Sequence, residues 1–109
     1  MTAADFRRLA LALPEATEGA HMGHADFRVR NKIFATLDHT ETLGMVKLNP
    51  EQQHELVKAQ PEIFVPVKGG WGRRGATHVR LEVAEESSLV QALRTAWRNT
   101  APKSLVARS

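Results

Sequence analysis

Two short runs of alternating apolar residues, set between segments of helical spacing, constrain this chain more than any other feature. From Asp26 onward, Phe27 and Val29 point one way while Arg28 and Arg30 point the other, and after Asn31-Lys32 the apolar run Ile33-Phe34-Ala35-Thr36-Leu37 returns. A period of two belongs to a strand with one buried face, and two polar residues between two such runs predict a tight β-hairpin. The simplest register sets Arg30 opposite Ile33 and Val29 opposite Phe34. Phe27, Val29 and Phe34 then share the buried face, and Arg28, Arg30 and Lys32 project from the other. A further strand is expected over Leu43 to Leu48, and a short edge strand over Ala16 to Met22. The cleanest alternation follows Gly75: Thr77, Val79, Leu81 and Val83 against His78, Arg80 and Glu82. Ile63 to Val67 reads as a short extended piece whose Pro66 suits a sheet edge.

The flanking segments read as helices. Phe6, Leu9, Ala10 and Leu13 recur at helical spacing, with Thr2 as cap, Asp5 in the first turn and Pro14 as the stop, so a helix is expected over Ala3 to Leu13. Asn49-Pro50-Glu51-Gln52 combines a capping side chain, proline at the first helical position and glutamine three residues after the cap. That second helix should end near Ala59, because Pro61 disfavours helix at Gln60. The third, about Glu85 to Asn99, should bury Leu89, Val90, Leu93, Ala96 and Trp97. Lys103 to Ser109, beyond Pro102, is expected to be a frayed, flexible tail. Helices set apart from consecutive strands predict an α+β single domain over residues 1–109, an antiparallel twisted sheet of about five to six strands with three helices packed mainly on one face.

Composition excludes several kinds of chemistry. At 109 residues the chain can bury one modest core, and its 42% hydrophobic content is too high for a disordered tail. No cysteine means no disulfide framework, thiolate metal site or cysteine nucleophile. No segment reads as a signal peptide or approaches a membrane span, so a cytoplasmic protein is expected. The five histidines lack the spacing of a metal site: His21 and His24 fall on loop or edge-strand sequence, with His39, His54 and His78 scattered behind. Glu85-Glu86 fits a helix start better than a catalytic carboxylate pair. No nucleophile elbow or triad signature is present. The expectation is therefore no catalytic residues, no cofactor and no metal.

Charge is more informative by position than in total. The formal charge is +3, yet residues 1–62 hold seven Lys and Arg against nine Asp and Glu, while residues 63–109 hold eight against three. The stretch from Ile63 to Leu81 contains Lys68, Arg73, Arg74, His78 and Arg80 with no acid at all. Such asymmetry points to an anionic partner. Within it, Lys68 to Gly75 has four glycines in eight residues and is expected to be an exposed loop. It lacks the pattern and strand-to-helix context of a phosphate loop. A glycine-rich basic loop can instead lie against a groove, with Trp71 stacking on a base or sitting between sugars; folded back, the same indole would cap the core.

The order and spacing of several segments resemble the MmcQ/YjbR family. The resemblance is carried by Leu11-Ala12-Leu13-Pro14-Glu15 followed by Glu18; by Phe27-Arg28-Val29 with Lys32-Ile33-Phe34-Ala35; by Val46-Lys47-Leu48-Asn49-Pro50-Glu51; and by a tryptophan-containing loop before a strand and a closing helix. It covers about residues 5 to 101. What it implies is an α+β fold similar to the frataxin-like CyaY architecture, described for the family as a double-wing DNA-binding domain, with no catalytic residues to carry over. Where common members place the tryptophan close before the strand's polar residues, this chain has the Gly- and Arg-rich segment from Trp71 to Gly75. The expected function is thus binding of duplex DNA, mainly at phosphates, by two basic wings: Arg28, Arg30 and Lys32 on one, and Lys68, Trp71, Arg73, Arg74 and Arg80 on the other. The alternative is a protein-interaction or small anionic-ligand domain without enzymatic activity, which predicts an apolar patch or pocket beside Trp71.

Overall fold

Polar side chains decide where the first two helices begin. The Asp5 N–H donates to Thr2 Oγ1 at 3.2 Å and the Thr2 N–H to Asp5 Oδ2 at 2.8 Å; Asn49 and Gln52 exchange the same pair of bonds at 2.8 and 2.9 Å. Each capping box satisfies two amide donors that a helix start otherwise leaves free. In this computed structural model, which describes residues 1–109, α1 spans Ala3–Leu11 and α2 spans Pro50–Ala59. The third expected helix is α4, Glu86–Thr100, with Leu89, Ala92, Leu93, Ala96 and Trp97 buried along one stripe. Val90, expected inside, is only half-buried.

Six strands form one antiparallel sheet: β1 (Ala16–His21), β2 (His24–Val29), β3 (Lys32–Leu37), β4 (Leu43–Lys47), β5 (Phe64–Pro66) and β6 (Ala76–Arg80), in the spatial order β1-β2-β3-β4-β6-β5. β5 precedes β6 in sequence but lies outside it, so Pro66 sits on an edge strand, where a missing N–H is tolerated. α1 and α4 pack together over one face, with α4 lying across β3 and β4. Between them lie Phe6, Phe27, Val46, Val79 and Trp97, all buried. Gly44 is required beneath this layer, since a Cβ there would stand 2.4 Å from the Phe6 ring. The indole Nε1–H of Trp97 donates to the Pro14 carbonyl at 2.9 Å, fastening α4 to the turn after α1.

Three expectations are corrected. The hairpin turn is Arg30-Asn31, both at positive φ (50° and 67°), so Val29 rather than Arg30 begins the pairing, opposite Lys32. Successive residues with positive φ match the twist of the flanking strands. A one-residue slip normally turns a strand inside out, but the pairing shifts between Phe27, opposite Ala35, and Arg28, opposite Ile33, leaving Phe34 as an extra residue. This bulge keeps Phe34 in the core with Phe27 and Val29 and turns Ile33 to the opposite face. Second, β6 ends at Arg80. Leu81–Val83 form a 3-10 turn that buries Leu81 and leaves Val83 48% exposed. Third, Lys103–Arg108, expected as a tail, forms a helix, α5, that places Leu105 against the core.

Candidate anion-binding site on the open face of the sheet

Register identifies the face that α1 and α4 leave uncovered. Asp26 lies opposite Thr36, Thr36 opposite Met45, Met45 opposite His78 and His78 opposite Val65, so one row of side chains crosses the sheet on its open side. Over one end of this row stands a short helical turn, α3 (Gly70–Arg73), where an irregular loop was expected. The glycines explain why the chain can turn there. A Cβ on Gly72 would lie 1.6 Å from the Val67 carbonyl oxygen, and Gly75, at φ 115°, lies with its Cβ position 2.0 Å from the Leu48 carbonyl oxygen. Gln53 on α2 then donates to the carbonyls of Gly72 (3.0 Å) and Ala76 (2.9 Å), tying the turn and the start of β6 to α2. The glycine richness thus serves close backbone packing at Gly72 and Gly75.

The pinned turn projects Trp71 outward, 62% exposed. The Lys47 Nζ lies 6.0 Å and the Arg74 Cζ 5.6 Å from the centre of its ring. From this indole a groove of about 660 Å³ extends over the open face to the β1–β2 hairpin. Ile33, Met45 and Val67 give it apolar surface, Lys47 and Arg74 line it beside Trp71, and His21, His24 and His78 also border it; no lining residue is acidic. The Nδ1 atoms of His24 and His78 are buried and have no hydrogen-bond partner. No group of three or more histidine or carboxylate side chains comes together in a metal-ligating arrangement.

The basic residues singled out in the sequence are treated unequally by the fold. Arg28 donates two hydrogen bonds to Asp26, at 2.8 and 3.0 Å, and that carboxylate is 0% exposed. The guanidinium holds the Asp26 carboxyl below the usual carboxylate range, outweighing burial, and is itself raised. Arg30 forms a two-bond pair with Glu15, at 2.5 and 3.0 Å, which likewise lowers the Glu15 carboxyl. Lys32, Lys68, Arg73, Arg74 and Arg80 are exposed and make no ion pair. Of these, Lys68, Arg73 and Arg74 stay with Trp71 on and beside α3. Arg80 closes the far end of β6, roughly 13 Å away at strand spacing, in a depression bordered by Glu41 and Glu82. Lys32 begins β3 at the end of the sheet where α3 also lies.

Lys47 and Met45 border the groove without standing out in the sequence, and His24 and His78, noted there as scattered histidines and in the basic stretch, border it with them. The visible signal was the alternation of Leu43 to Leu48, which assigns Met45 and Lys47 to one face. Which strand that face adjoins depends on the β4–β6 pairing between distant segments.

These features define a small α+β domain with one helix-covered sheet face and one open face, whose groove beside an exposed indole has no acidic lining residue. The chain belongs to the YjbR family, whose model matches residues 11–99, in agreement with the resemblance carried by the segments from Leu11 to Glu51. The crystal structure of Deinococcus radiodurans protein DR2400, described by its DUF419 domain, shares the fold, with a TM-score of 0.73 and 23% sequence identity over 88% of this chain and 75% of that one. No curated protein matches the chain significantly. No helix is long and apolar enough to cross a membrane.

Proposed function

We propose that this domain is a DNA-binding module, not an enzyme, and that it holds phosphates through the α3 edge of the sheet. The observation that carries the reading is the set of exposed cations, Lys68, Arg73 and Arg74, in the segment that bears the exposed Trp71, with no carboxylate paired to any of them. Lys47, beside the same ring, adds a fourth. Trp71 supplies a surface that can rest on a base or sugar. Arg28 and Arg30 take no part, because recruiting them would break pairs already made with Asp26 and Glu15. With Lys32 at the same end of the sheet, about five phosphate contacts remain, each contributing roughly −0.9 to the slope of log K against log salt.

The test is a duplex DNA titration at several salt concentrations. Arg73→Ala combined with Arg74→Ala should flatten the slope by about two phosphate contacts, whereas Arg28→Ala should leave it unchanged. An unaltered slope in the double variant, or no binding at low salt, would overturn the proposal.

A further inference from the structure

The groove behind Trp71 carries a second reading, in which Trp71, Lys47 and Arg74, also assigned to the DNA contacts, face a small ligand. We infer that it is a binding site for a small organic anion of mononucleotide size: a flat ring bearing a phosphate. Its volume, about 660 Å³, falls within the roughly 300–1,000 Å³ of small-molecule sites. Its floor is apolar at Ile33 and Met45, and one wall is the Trp71 indole. A flat ring inserted there covers surface that is otherwise exposed to water.

Charge and hydrogen-bonding chemistry narrow the class. Lys47 and Arg74 lie within 6.0 Å of the same indole centre, and no acidic side chain lines the groove. Two cations lining one groove, one of them a planar guanidinium fork, match a phosphate dianion better than a single carboxylate charge. His24 and His78 have shielded, unpartnered Nδ1 atoms. Both imidazoles border the groove, and an imidazole ring presents nitrogen atoms suited to the polar edge of a ligand ring.

Adenosine monophosphate is a suitable probe, titrated by calorimetry and followed at the Trp71 indole N–H and the histidine ring resonances by NMR. Saturable one-to-one binding, tighter than that of inorganic phosphate or adenosine, is expected. Trp71→Ala, Arg74→Ala and the groove-filling Thr36→Phe should each weaken it about tenfold or more, the scale of one stacked base or one charge-assisted contact. Arg73→Ala, outside the groove, should change it less than about twofold, although the same substitution reduces the salt slope for DNA. No saturable binding, equal binding of phosphate alone, or insensitivity to Arg74→Ala would overturn the inference. If Thr36→Phe does not fold, the wild-type resonances decide: shifts at His24, His78 and the Met45 methyl support the groove, and shifts confined to α3 overturn it. Loss of DNA binding with nucleotide binding retained would refute only the DNA proposal.

Discussion

The β2–β3 hairpin and the α3 turn each contribute three basic residues, Arg28, Arg30 and Lys32 against Lys68, Arg73 and Arg74, but the fold uses them differently. In the hairpin, two of the three are tied to carboxylates, one of them fully buried. On α3 none is. The difference follows the distribution of acids along the chain. Arg7, Arg8, Arg28 and Arg30 make every ion pair in the structure, and all belong to the acid-rich first part. The acid-poor remainder leaves its α3 cations to solvent. Counting basic residues measures charge; only the pairing shows how much of it a partner can meet.

The largest expected effect lies in the backbone that supports α3. Gly72→Ala places a methyl against the Val67 carbonyl, a rigid neighbour, and should destabilise the protein by about 1–3 kcal/mol or more, seen as a lower Tm and altered Trp71 fluorescence. A stable variant with wild-type fluorescence would mean that α3 is not held by this contact. It would also remove the contrast between a rigidly built α3 and a charge-tied hairpin.

A smaller effect is expected at the Asp26–Arg28 pair, and it should depend on pH. Arg28 lowers the Asp26 carboxyl, so the stabilisation is fully present above the ordinary carboxylate range, about 4. It is lost as pH falls through the depressed folded value. Arg28→Ala should therefore cost stability at pH 7 and progressively less in acid. Melting curves of wild type and variant that stay parallel down to strongly acidic pH would assign the loss to packing of the arginine stem instead.

The smallest effects sharpen the comparison most directly. Arg30→Ala removes a solvent-exposed pair with Glu15 and should move Tm by no more than about 4 °C, the ordinary yield of a surface salt bridge, with no change in the DNA salt slope. Arg73→Ala should leave Tm equally unmoved but flatten that slope by about one contact. If the two variants behave alike in the DNA titration, the hairpin and α3 are electrostatically equivalent and the distinction fails.

Much of the fold was legible in local patterns. Capping chemistry at Thr2 and Asn49 marked two helix starts, and the alternation from Phe27 to Leu37 marked a hairpin and its buried aromatics. The hairpin register was misread by one residue because Asn31-Lys32 is the more polar pair, whereas the chain turns at Arg30-Asn31 and corrects its facing with a bulge at Phe34. The helical turn at Gly70–Arg73 was hidden because glycine richness indicates permissive backbone, not what that backbone packs against. The candidate site was half visible: Lys68, Trp71, Arg73 and Arg74 stood out as an acid-free basic segment, while Lys47, Met45 and the histidines joined them only through strand pairing.

By itself, the sequence determined the α+β class, the one-sided burial of the strands, the family resemblance and the basic bias of residues after Ile63, because helix caps, side-chain periodicity and charge are properties of neighbours along the chain. Tertiary structure alone decided which arginines are already spoken for, that Trp71 stands exposed rather than folded onto the core, and that a groove opens beside it. Those outcomes depend on approach between residues far apart in sequence: Glu15 on Arg30, Gln53 on the carbonyls of Gly72 and Ala76, and β4 against β6. No local pattern encodes such distances, since they are set by how the sheet twists and how α2 and α4 pack upon it.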